Sequence, residues 1–136
     1  MKRVKEIEII ISEIDFYLIE KVRELRLSQS PKISQVTLSQ MIGVAEGFVG
    51  KVENMKEASK YNLWHINKII KVLNLNFLDV FPANSIKGDI VRIRLKYRDS
   101  FKKDEKSYDV LYIKPLSENE MELYKQKKLS YIVEKL

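Results

Sequence analysis

A chain of 136 residues, 45% hydrophobic and 32% charged, has the length of one ordinary domain or of a small domain with an appendage, and enough apolar material for a core. That balance excludes a disordered chain, and the longest apolar run, Ile9-Ile10-Ile11, falls far short of the roughly 20 residues a bilayer span needs. The formal net charge of +6 suits an anionic partner, while the lack of cysteine and the single histidine, His65, exclude disulfides, thiolate metal sites and cysteine nucleophiles.

Val4, Ile7, Ile11, Ile14 and Leu18 recur in steps of three and four, the seam of an amphipathic helix or short coiled coil. Glu6-Ile7-Glu8-Ile9 also alternates as a strand does, with four isoleucines in five residues, so residues 4–11 stay open between helix and strand. Ser12 with Asp15 three residues on would cap a helix over 12–27. Ser28-Gln29-Ser30-Pro31-Lys32 breaks the chain. A short helix over 35–42 follows, with Leu38, Met41 and Ile42 on one side and Gly43 as its stop. The spacing predicts a second short helix over 45–52, with Val49 and Val52 facing inward. Leu63, Ile66, Ile70 and Leu73 mark a fourth helix, and Phe77 to Phe81 one last apolar turn before Pro82.

After Pro82 the texture changes, and 83–85 reads as a boundary. Val91, Ile93, Leu95 and Tyr97 alternate with Arg92, Arg94, Lys96 and Arg98, as in a half-buried strand. A charged connection bearing Lys102, Lys103 and Lys106 leads to a second strand over 108–113, hence a hairpin with a long tip. Ser117-Glu118-Asn119-Glu120 is a capping box that opens a final helix with Met121, Tyr124, Ile132 and Val133 as its apolar positions. The charge excess lies mainly in this second part: net +4 over 86–136 against +2 over 1–85.

Little speaks for an enzyme. None of the four glycines, Gly43, Gly47, Gly50 and Gly88, precedes a Lys-Ser or Lys-Thr pair, so there is no phosphate loop. A serine triad would need His65, which has no nucleophile motif near it. No two carboxylates are marked as a catalytic pair, and neither a cofactor nor a metal is expected. Met1-Lys2-Arg3 is followed by Glu6 and Glu8 with no apolar segment, so a secretory signal is not expected and the cytoplasm is the expected location.

The stretch 33–54 carries the function. Ser34-Gln35 at a helix start, Leu38, the small Ser39, Gly43 in a turn, Val49, Val52 and then Glu53-Asn54 resemble the helix-turn-helix of the Cro and phage-repressor family. The resemblance extends over about 16–82, through Arg23-Glu24-Leu25-Arg26 and the turn at Phe77 to Pro82; residues 83–136 resemble no family. Physically, two crossing helices need a small residue such as Ser39 at their closest approach, and Gly43 permits the tight turn between them.

The resemblance implies a mainly α fold, a five-helix lambda-repressor-like DNA-binding bundle over 16–82, followed over 86–136 by a small β-hairpin plus helix, with 1–15 as an N-terminal extension. It places Ala45, Glu46, Gly47, Phe48 and Lys51 toward the bases of the major groove, and Gln35, Asn54, Lys56 and Lys60 toward phosphates. Arg26 and Glu53 match a structural pair. Met55 stands where the family often has glycine. Apart from the resemblance, Arg92, Arg94, Lys96 and Arg98 form either a solvated outer face or a second phosphate-binding surface. Phe48, Tyr61, Trp64 and His65 have packing roles as their plain alternative.

The expected function is a sequence-specific DNA-binding transcriptional regulator, acting as a homodimer on double-stranded DNA. Dimerisation would fall to the N-terminal seam or to 86–136. The alternative is an antitoxin-like protein whose helix-turn-helix autoregulates while 86–136 binds a protein partner.

Overall fold

The structure is a computed structural model that describes residues 5–135. In chain order it runs β1 (Glu6–Ser12), α1 (Glu13–Leu27), α2 (Gln35–Ile42), α3 (Phe48–Glu53), α4 (Leu63–Val72), α5 (Phe77–Val80), β2 (Ile90–Tyr97), β3 (Tyr108–Pro115), α6 (Glu118–Lys125) and β4 (Ile132–Lys135). The four strands form one antiparallel sheet in the order β3-β2-β1-β4. Two compact units result: residues 5–14 with 87–135, which carry the sheet, and residues 15–86, which carry helices only.

The mainly α expectation, a five-helix bundle trailed by a hairpin and a helix, is thereby overturned: the fold is mixed α/β, and the hairpin is the middle and one edge of a four-stranded sheet. Two segments make the difference. Residues 6–12 are strand, not helix, so the heptad seam through Ile7 and Ile11 does not form; its first member, Val4, lies outside the described residues. Ile132 and Val133 are strand as well, because the final helix stops at Lys125 and Lys127 turns the chain with φ 58°.

The reason lies in what each face of β1 meets. Ile7, Ile9 and Ile11 pair in register with Leu95, Ile93 and Val91, and all six are at most 2% exposed. Ile10, on the other face, is 4% exposed. Burying each isoleucine contributes about 1.5–3 kcal/mol, and β-branched side chains give up less freedom in a strand than in a helix. On the polar face Glu6 lies opposite Lys96 and Glu8 opposite Arg94, and this pairing brings Glu6 to Arg94 and Glu8 to Arg92 and Arg94.

In the helical unit, α1 buries Phe16, Ile19 and Val22, while α2 and α3 bury Leu38, Ile42, Val49 and Val52. Met55, just after α3, is 1% exposed and is core. Among the described residues no helix is long and apolar enough to cross a membrane.

Candidate nucleic-acid interface

α2 begins where Ser34 Oγ accepts the Thr37 N–H at 3.0 Å, an N-cap on an otherwise unpaired helix donor. It ends at Gly43, whose φ of 79° is open to glycine at little cost. There the Gly43 N–H donates to the Gln40 carbonyl and the Val44 N–H to that of Ser39, closing the last turn.

Ser39 ties the second helix to the first. Its hydroxyl donates to the Gln35 carbonyl at 2.9 Å and accepts the Val49 N–H at 3.1 Å. Ser39 and Val49 are both 0% exposed, so the hydroxyl satisfies an N–H of the first turn of α3 that water does not reach. A small residue is needed at that crossing, and its hydroxyl also caps α3, a role that size alone does not reveal.

A buried ion pair braces the arrangement from behind. Arg26, 0% exposed, donates from Nε to Glu53 Oε2 at 3.1 Å, from Nη2 to Glu53 Oε1 at 2.7 Å and from Nη1 to the Ile33 carbonyl at 2.8 Å. Gln35 Nε2 adds a donor to Glu53 Oε1 at 3.0 Å. One bidentate fork thus joins the ends of α1 and α3 and holds the loop before α2. Gln35 therefore already serves Glu53. Gly50 makes room for it, since a Cβ there would lie 3.2 Å from Gln35 Oε1.

The outward residues fall into three groups. Ala45, Glu46, Gly47 and Lys51 are exposed, whereas Val49, Val52 and Glu53 of the same segment are buried. Ala45 to Gly47 precede the helix, which starts at Phe48 and not at Ala45; a turn closed by the Phe48 N–H on the Ala45 carbonyl leads into it. Glu46 Oε1 accepts from Gln40 Nε2 at 3.0 Å across that turn. Phe48 is half-buried, its ring 4.4 Å from His65 and 6.0 Å from Tyr61, so its body belongs to an aromatic cluster.

Asn54 and Lys56 are exposed and Lys60 half-exposed, all in the chain that leaves α3. Asn54 Oδ1 accepts the Lys56 N–H at 3.0 Å, which fixes that exit. His65 and Asn62 form a capping box at the start of α4, with His65 Nδ1 accepting the Asn62 N–H at 3.0 Å. Burial lowers the His65 pKa, in keeping with a neutral imidazole that accepts at Nδ1. Trp64, 52% exposed, stands edge-on to His65.

The strand cations are a different matter. Arg92 pairs with Glu8 at 2.7 Å and with Glu120; Arg94 pairs with Glu6 at 2.8 Å, with Glu8, and with Glu134 at 3.1 Å. Arg98 reaches Asp109 at 2.8 Å, and Lys96 lies in register between Glu6 and Asp109. Tyr112 donates its hydroxyl to Glu8 as well. Burial pushes the Glu8 carboxyl up, but hydrogen bonds from Tyr112, Arg92 and Arg94, with the charge of Arg92, outweigh it and hold the pKa down at about 2. The ribbon that looks basic in sequence is thus neutralised within the sheet by acids from β1, β3, α6 and β4. No family model, curated protein or solved structure matches this chain.

Proposed function

We propose that this protein is a sequence-specific DNA-binding transcriptional regulator that acts as a homodimer and docks α2, the turn and α3 on double-stranded DNA. In this reading Ala45, Glu46, Gly47 and Lys51 meet base edges in the major groove, and Phe48 supports them from the aromatic cluster while its outer edge faces the groove. Gln35, Asn54, Lys56 and Lys60 lie toward the phosphate backbone. The observation that carries the reading is the division of one short segment. Its inner side chains are buried and its pose is locked by Ser39 and by the Arg26–Glu53 fork, while Ala45, Glu46, Gly47 and Lys51 stay exposed.

The base reading this surface offers is narrow. Glu46 accepts from a cytosine amino group, and Ala45 and Phe48 suit a thymine methyl. The strand cations supply no phosphate surface here, because acids of the same sheet compensate them. Duplexes selected from a random pool with the purified protein test the proposal. Binding should fall steeply with salt, Lys56→Ala should weaken all sequences alike, and Glu46→Ala or Lys51→Ala should change the preferred base. Equal affinity for selected and random duplexes of one length would refute it.

A further inference from the structure

The sheet has two edges, and they are not alike. β4 is four residues long, and its Glu134 is drawn to Arg94. β3 is an edge of eight residues with no proline before its last position, and within the sheet it pairs with β2 alone. Leu111 is 47% exposed and Ile113 41%. An open, long and partly apolar edge is a template for another strand, and natural proteins generally blunt such an edge or pair it.

We infer that two copies of this chain pair through β3, antiparallel about a two-fold axis, and join their sheets into one. The residues of β3 select a second copy as the occupant. The pairing with β2 slips at one place: Arg94 faces Tyr112 and Leu95 faces Val110, so Leu111 is the extra residue of a bulge. With Leu111 set aside, Tyr112 is the midpoint of the strand, and a two-fold axis there places Tyr112 opposite its own copy. Ile113 then falls opposite the partner's Val110, and Lys114 opposite the partner's Asp109.

Each of these pairs lies on one face. Ile113 and Val110 share the apolar face with Ile93 and Leu95, while Lys114 and Asp109 share the polar face with Arg92 and Lys96. Without the bulge, Asp109 and Lys114 would stand on opposite faces and no such match would exist. The symmetry makes every contact twice, which gives two apolar cross-strand pairs and two opposite-charge pairs. Asp109, already held by Arg98 at 2.8 Å, is ordered to receive the incoming ammonium.

Sedimentation equilibrium on the full chain without DNA tests the seam, so failure here leaves the role of the helix pair untouched, and the converse also holds. The wild type should sediment as a dimer. Lys114→Glu puts like charges together at both ends of the seam and should weaken dimerisation about tenfold or more, as should Asp109→Lys. The double variant restores opposite charges and should recover most of the affinity, an outcome that mere loss of folding would not give. Because the chain has no cysteine, Tyr112→Cys should yield a disulfide-linked dimer on mild oxidation, and Lys103→Cys at the hairpin tip should not. A monomer at every concentration, a dimer indifferent to Lys114→Glu, or cross-linking at 103 alone would overturn the inference, as would β3 occupied only by a different protein.

Discussion

Glu53→Ala removes the carboxylate that neutralises Arg26. The guanidinium is 0% exposed and the Glu53 side chain 3%, so water cannot take the place of the lost partner. Arg26 would lose both of its hydrogen bonds to the Glu53 carboxylate while keeping the Ile33 carbonyl at 2.8 Å, and Gln35 would lose the acceptor of its amide. Stranding one member of a buried pair costs about 3–5 kcal/mol, a large part of the 5–15 kcal/mol that holds a typical domain folded. Glu53→Gln retains an oxygen for one N–H but no charge, so a smaller loss of about 2 kcal/mol is expected. Replacing both members, Arg26→Met with Glu53→Leu, should come within about 1 kcal/mol of wild type or exceed it, since desolvation offsets much of the attraction in such a pair. Trp64 is the only tryptophan and belongs to the helical unit, so its fluorescence during urea unfolding reports on that unit. A loss below about 1 kcal/mol for Glu53→Ala would mean that the pair behaves as a surface ion pair, and the bracing role would fall.

Other consequences follow from the same geometry. Glu8 has a folded pKa of about 2 against an ordinary 4.5, so its contribution, about 3 kcal/mol, is fully present above pH 4.5 and is lost as the pH falls toward 2. Urea midpoints across that window should decline more in wild type than in Glu8→Gln; equal declines would show that Glu8 is not the group responsible. Gly43→Ala should cost about 1 kcal/mol through backbone strain alone, because φ is 79° and nothing lies within 4 Å of the added Cβ; a neutral thermal melt would refute the left-handed turn. Ser39→Val leaves the Val49 N–H unpaired in the interior and should cost about 2 kcal/mol in the same melts, whereas no loss would show that the hydroxyl is dispensable.

Both ends of α2 were readable because local chemistry determines them. Ser34 and Gly43 act at helix ends within a turn of themselves, and the buried positions Leu38, Val49 and Val52 keep the helical period. Residues 6–12 were not readable in this way. Ile7 and Ile11 fit a heptad and a strand alike, and the decision rests on Leu95, Ile93 and Val91, at least 80 residues from the isoleucines they pair with. The C-terminal strand was hidden for the same reason: Ile132 and Val133 look like the next turn of a helix until Ile9 pairs with Ile132 and Glu8 with Glu134. The start of α3 at Phe48 was missed because Ala45, Glu46 and Gly47 include no capping side chain to mark it. At the strand cations, periodicity showed their face but not their ion pairs, since their acids come from four separate elements.

Amide chemical shifts recorded while a pool-selected duplex is titrated into labelled protein bear most directly on the whole account. The largest changes should fall on residues 45–51, with Gln35, Asn54 and Lys56 beside them, and Arg92 and Arg94 should stay nearly still. Changes concentrated in β2 and β3, with the turn after Gly43 silent, would place nucleic-acid contact on the sheet and contradict it.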